Sequence, residues 1–392
     1  MITRARLGSW WRRLTRADSR AAAAALAHQR AQGAAAIAVT GHSAFTRGRW
    51  TLIGGDGAGW EGGAFYKVRG FAWHAERLYA SLTGPLSDGP RAEIWSWDRH
   101  TWRREKHEWG ATPSFVEHLF SFRGSLYAAE RGAVWKLDDG RWTSTGGELC
   151  EPGKSGGYAF AEWQGRLAMS FWGKPAVAVL EGERWSFLPD PLEGWGAKVR
   201  TVYCLHQSGP FLYAGTGTGR FAGPASAVWQ FDGRNWEKIG GDGIRGSWIE
   251  PGIPFVLSLN TYGGMLIATL SRPPGTHPHA SNVWAFDGAR WRAIGTGNVP
   301  PLMGRSLIAN DTAVFGGRFV AATGDGSHRN AQVWELEADQ SWRPAGGENF
   351  SAPASGAPGG YWIYRFCAAD NALFAGTAGH RGGARVFRYA DS

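Results

Sequence analysis

Two imidazoles on either side of a proline, His277 and His279, are the nearest this sequence comes to a metal-ligating pattern. A bound zinc wants three or four ligands, and no carboxylate stands close by, so the pair predicts neither a metal site nor a cofactor. Guanidinium groups are more plentiful in the same glycine-rich segments: Arg220, Arg245, Arg272, Arg305, Arg329 and Arg381, with His328 and His380 among them. Arginine grips a carboxylate or phosphate through parallel N–H donors, so a set converging on one face would hold an anion. Trp60, Trp195, Trp248 and Trp362 lie in comparable stretches, where flat rings can stack on a sugar or anchor a protein partner. Bond-breaking chemistry is harder to find. No Ser-His-Asp order, phosphate-binding glycine loop or paired carboxylates stand out. Gly-Gly followed by an acid recurs at Asp56, Glu148, Asp242 and Glu348, and its recurrence marks a structural turn before it marks a ring of acids. Cys150, Cys204 and Cys367 are odd in number and unpaired in spacing, as expected of buried thiols.

The chain has 392 residues, 43% hydrophobic and 14% aromatic, enough to bury a core. Gly or a charged residue breaks every apolar run before membrane-spanning length. The net charge of +9 is uneven: residues 1–50 hold nine Arg against Asp18 alone, and the remainder is nearly balanced. The basic character therefore belongs to an N-terminal arm, and no nucleic-acid-gripping body is expected. Residues 1–36 read as a helical arm, with a helix over about 17–32 capped by Asp18 or Ser19. The Ala21–Ala27 run is too short for an export signal, and Leu-Thr-Arg after Arg12–Arg13 is not the apolar continuation of a twin-arginine signal. The arm's Arg residues and the Trp10–Trp11 pair suit peripheral contact with an anionic membrane, and the expected location is cytoplasmic.

One pattern recurs from residue 65 onward. Residues 212–242 read LYAGTGTGRFAGPASAVWQFDGRNWEKIGGD, and 266–297 read LIATLSRPPGTHPHASNVWAFDGARWRAIGTG. Each copy has an apolar strand, a variable loop, a Val-Trp-x-Phe strand, an Asp-Gly turn and a strand opened by Trp. Those opening tryptophans, Trp102, Trp142, Trp185, Trp236, Trp291 and Trp342, are spaced 40, 43, 51, 55 and 51 residues apart. With a further apolar segment upstream of each copy, the spacing predicts four-stranded propeller blades. The seventh copy supplies three strands and stops. Residues 49–57, RWTLIGGDG, match NWEKIGGDG at 235–243, so an N-terminal strand is expected to complete the last blade. The expected fold is all-β: one seven-bladed propeller over residues 37–392, closed by that strand. The Asp139–Gly140, Asp232–Gly233 and Asp287–Gly288 pairs read as two-residue hairpin turns.

The order apolar strand, Gly, variable loop, aromatic, then Trp resembles kelch-type β-propellers over nearly all of the chain after residue 45. The kelch double glycine is replaced by Ala214–Gly215, Ala268–Thr269 and Ala375–Gly376, which makes this chain kelch-like. The Asp-Gly-x-x-Trp corners also look like shortened sialidase Asp-boxes, which are structural there and imply no sialidase activity. The kelch resemblance implies a binding or scaffolding module more than an enzyme. Its few copper-radical oxidases would need a Cys–Tyr crosslink that Cys204 and Cys367, on inner strands, do not suggest.

In an up-and-down blade the a–b and c–d turns lie on one face, the b–c and d-to-next-a loops on the other. The first set is short and the second long, so the long-loop face is expected to bind, because loops held by a rigid scaffold carry function. The Arg, His and Trp residues named above decorate it. The expectation is a non-catalytic module binding a glycan-like or anionic ligand, or a protein partner. The alternative is a carbohydrate-active or small-acid-processing enzyme with its site in the central funnel of the same face.

Overall fold

The computed structural model describes residues 49–60, 64–84, 92–106, 115–130, 133–146, 149, 155–196, 198–218, 226–241, 243–248, 255–271, 283–294, 307–325, 331–346, 350, 361–379 and 383–390. The arm at 1–36 lies outside them. The protein is all-β, and its strands form one eight-stranded sheet and five four-stranded sheets. The large sheet contains β1 (Arg49–Gly54), β2 (Lys67–His74), β3 (Arg77–Thr83), β4 (Ala92–Trp97) and β5 (Trp102–Arg104). Next come β6 (Val116–Phe122), β7 (Ser125–Glu130), β8 (Ala133–Asp138) and β9 (Arg141–Thr145). A third group is β10 (Gly156–Trp163), β11 (Arg166–Trp172), β12 (Val177–Glu181) and β13 (Arg184–Phe187). Then follow β14 (Thr201–Ser208), β15 (Phe211–Gly217), β16 (Ala227–Phe231) and β17 (Trp236–Gly241). After them lie β18 (Val256–Tyr262), β19 (Met265–Leu270), β20 (Val283–Phe286) and β21 (Trp291–Ala293). The next sheet is β22 (Leu307–Phe315), β23 (Arg318–Asp325), β24 (Gln332–Leu336) and β25 (Trp342–Pro344). Finally β26 (Tyr361–Ala369), β27 (Ala372–Gly379) and β28 (Val386–Ala390) join β1 in the large sheet. There β1 pairs antiparallel with β28, Trp50 opposite Tyr389, and a single register pair, Lys67 with Ala378, links this half to β2–β5.

The first strand of each group packs against the first strand of the next, from β2 on β6 round to β26 on β2. Such radial repetition about an axis is a β-propeller. Strands β15, β19 and β27 are buried along their full length, which is why LYAG-type runs read as uninterrupted apolar segments. The turns from first to second strand are tight, with both central residues at positive φ at Ala75–Glu76, Arg123–Gly124, Gln164–Gly165 and Asp370–Asn371. Asp139–Gly140 is a two-residue turn of the same kind. The corners at Asp232 and Asp287 are longer than expected. Phe231 pairs with Trp236 and Phe286 with Trp291, leaving four loop residues, and each Asp carboxylate accepts two backbone N–H bonds inside its loop.

The glycine before each Gly-Gly-acid corner has a clear cause. The Trp291 ring lies where a Cβ on Gly240 would stand, 2.8 Å away, and the indole N–H donates to the Ile239 carbonyl at 2.7 Å. Trp102 lies in the same way against Gly54 and donates to Ile53, and Trp50 lies against Gly346 and donates to Ala345. Each fourth-strand Trp therefore seals the junction with the preceding sheet, and Trp50 on β1 does so at the large sheet. Asp56 is held by Arg385 at 2.7 Å, a structural role.

Candidate functional site

Every strand lining the axis breaks register with its neighbour at the same point. Val68 and Gly70 face consecutive residues of β3, so Arg69 is an extra residue. Glu117, Tyr203, Leu257, Asn310 and Tyr364 are the corresponding extra residues of β6, β14, β18, β22 and β26, and in β10 Tyr158 and Ala159 together oppose Ser170. These are β-bulges, which bend a strand and re-aim a side chain, and which collect next to functional sites. All lie within the first four residues of their strands, the end entered from the long loops.

The bulge residues make a lopsided ring. Arg69 is 7% exposed and bonds Glu117 at 2.6 Å, Thr83 at 2.8 Å and the Tyr66 hydroxyl at 3.4 Å. The Lys67 ammonium sits 3.3 Å over the Tyr364 ring, and Arg69 lies over Phe115. Opposite runs an aromatic arc, Tyr158 against Tyr203 and Tyr203 against Phe255. Burial lowers Lys67 to about 8, with Tyr364 pulling the other way. Burial raises the Tyr364 phenol, but the charges of Lys67, Arg365 and Arg69 outweigh it and bring it down to about 8. Burial opposes the Arg69 charge, yet Glu117 more than restores it. A lysine and a phenol that both titrate near neutrality can exchange protons with a ligand, and the cations can hold an anion.

Beneath the bulges lies a second set of residues. His118, Ala159, Cys204, Ser258, Asp311 and Arg365 line a cavity of about 140 Å³, walled by residues that include Phe71, Phe160 and Leu257. Burial, assisted by Arg365, drops His118 to about 3, and its Nδ1 accepts the Phe160 N–H at 2.8 Å. Burial raises the Asp311 carboxyl, opposed by Arg365 and by N–H donors from Phe366 and Thr312. Burial likewise pushes the Cys204 thiol up to about 12, leaving it unreactive.

The sequence-derived site residues fare unevenly. Trp60, Trp195 and Trp248 are 4%, 6% and 3% exposed, so they are not stacking platforms. Each covers the tryptophan pair of the sheet that follows and spends its N–H internally: Trp60 on Ala384, Trp195 on Asp190, Trp248 on Ser226. Arg245 is exposed, and Trp362 is half-buried on β26. Arg220, Arg272, His277, His279, Arg305, His328, Arg329, His380 and Arg381 lie outside the described residues. Sequence reasoning missed the bulge ring, although a signal for it exists. Val68/Phe71, Val116/Leu119, Val202/Leu205, Val256/Leu259 and Ile363/Phe366 are apolar pairs three apart in strands whose alternation has period two.

No protein-family model matches the chain, and no curated protein matches it in sequence. Among solved structures it is similar to the extracellular domain of BT4673 from B. thetaiotaomicron, a proposed one-component system, with TM-score 0.58 and 11% identity over 88% of this chain. A second structure, described as a hybrid two-component system, gives 0.58 and 11% over 87%. The chain spans about 40% of the length of the first of these. It is also similar to the WD40 β-propeller domain of Doa1, with TM-score 0.51 and 11% identity, covering 88% of this chain and 97% of that one. Likeness at this identity establishes the β-propeller fold. Among the described residues no helix is long and apolar enough to cross a membrane.

Proposed function

We propose that this is a seven-bladed, kelch-like propeller, closed by β1, that binds an anionic or glycan-like ligand at the long-loop end of its axial channel. The observation that carries this reading is the bulge repeated in every axial strand, which gathers Lys67, Arg69 and Tyr364 at that end, with Arg365 beneath them. Three cations there outnumber two carboxylates, Glu117 and Asp311, leaving a net positive mouth framed by phenol rings. On the sequence reading, Arg245, Arg220, Arg272, Arg305 and Arg381 belong to the same long-loop face and would add to the grip.

Isothermal titration of the full chain against uronate-containing, sulfated and neutral oligosaccharides and inorganic phosphate tests the reading. Acidic members should bind, and Lys67→Met should weaken them by about tenfold, the scale of one buried charge contact. A folded protein silent to every acidic and neutral member would sink the idea and turn attention to a protein partner. A second reading, proton-transfer catalysis, draws on Lys67 and Tyr364, both brought to about 8. Turnover of any acidic substrate that Tyr364→Phe abolishes while leaving its affinity unchanged would favour it.

A further inference from the structure

The cavity beneath the ring carries both signs of charge, and they do not meet. Arg365 gives its Nε–H to the Arg69 carbonyl at 3.1 Å, and its guanidinium lies 4.9 Å from the Tyr364 ring centroid. Its terminal nitrogens make no hydrogen bond to any described residue, and Arg365 and Asp311 form no ion pair with each other. Asp311 spends one lone pair of each oxygen on the N–H groups of Thr312 and Phe366, both at 2.9 Å, which leaves one free on each before the Ser258 hydroxyl takes its share. His118 accepts at Nδ1, so the proton of its neutral ring sits on Nε2 and is available to donate.

A simple anion placed here would meet the Asp311 carboxylate, and a simple cation would meet Arg365. A molecule bearing both charges leaves neither group uncompensated, which matters because an unpaired buried charge is costly. The cavity, at about 140 Å³, is smaller than the roughly 300–1,000 Å³ of sites for drug-sized ligands, and Leu257, Leu259 and Phe160 give it an apolar wall. We propose that it is a site for a small zwitterion of the α-amino acid class. The carboxylate is held by Arg365 and the His118 Nε2–H, the ammonium by Asp311 and Ser258, and the side chain by the leucine wall. This rests on the binding reading above and names the ligand of its inner compartment.

The test is a thermal-shift screen of the full chain with the twenty common amino acids, followed by titration with L-leucine and its two halves, 4-methylpentanoate and 3-methylbutylamine. At least one apolar amino acid should raise the melting midpoint, and each half-molecule should bind about tenfold or more weakly, the loss expected for one missing buried charge contact. Asp311→Asn should lose the amino acid by a similar factor while gaining affinity for 4-methylpentanoate. Leu257→Trp, which fills the cavity and keeps both charges, should abolish binding even where Arg365→Gln fails to fold. The proposal is overturned if no amino acid shifts the folded wild type, if either half binds as well as the whole, or if Asp311→Asn and Leu257→Trp bind as the wild type does. Acidic oligosaccharides that still bind in those cases would leave the outer reading standing. Silence from both panels would remove both.

Discussion

The outer hairpins and the axial strands are built from the same repeat but treat it in opposite ways. In the outer hairpins the same residue returns at the same place: Trp142, Trp185, Trp236, Trp291 and Trp342 are all buried and packed between neighbouring sheets. Along the axis the conformation returns but the residue does not. The bulge position holds Arg69, Glu117, Tyr203, Leu257, Asn310 and Tyr364 in turn. A repeat that keeps its side chain is solving a packing problem common to all units. One that keeps only its backbone offers each unit a different group at a shared centre.

The sharpest way to break this contrast is Trp291→Ala, which removes a fully packed indole and its bond to Ile239, and should cost about 3–5 kcal/mol in a denaturant titration. A loss below about 1 kcal/mol would mean the outer repeat is not the source of stability. Arg69→Met should come next, at about 3 kcal/mol, because it breaks the 2.6 Å ion pair of the Glu117 carboxylate, which is 2% exposed. The double change with Glu117→Leu should recover most of that loss, and failure to recover would assign Arg69 a packing role instead. Acid titration should show an effect of similar size spread over several pH units. Native His118 holds out to about 3, whereas the unfolded chain protonates near 6.5, so the unfolded state binds the extra proton in that interval. Stability therefore falls as pH drops from about 6.5 towards 3, by up to about 1.4 kcal/mol per pH unit for such a group. His118→Asn should flatten that limb, and His206, lowered to about 4 by burial, should account for part of what remains. Smallest of all, Tyr364→Phe should change the unfolding free energy from a urea titration at pH 7 by no more than about 0.5 kcal/mol while changing ligand affinity. A large stability loss there would make the axis structural too.

What the sequence reveals follows from the same contrast. The strand order and the Asp-Gly corners were legible because they recur as identical letters at a fixed spacing, and the same letters marked a strand at residue 49, which pairs with β28. The two-residue length assigned to the Asp232 and Asp287 corners was not, because the Asx bonding that widens them is a side-chain effect hidden behind the same Asp-Gly letters. Trp60, Trp195 and Trp248 looked available because they fall outside the strand pattern, yet each seals the next sheet. The axial cluster was hidden because residues from every sheet meet there and most of them differ from one strand to the next. Its trace is a parity slip, such as Val202 to Leu205, which only a search for broken alternation would notice.

The pairing of β1 with β28 also sets an order of events. Trp50 is translated long before Tyr389, its register partner, exists, so β1 must wait for β28 before the two can pair. Contacts so distant in sequence form late and slow folding. A chain that lacked either strand would leave the other with an open ladder edge at that seam. The pairing thus covers a ladder edge that would otherwise be open to strands of other chains.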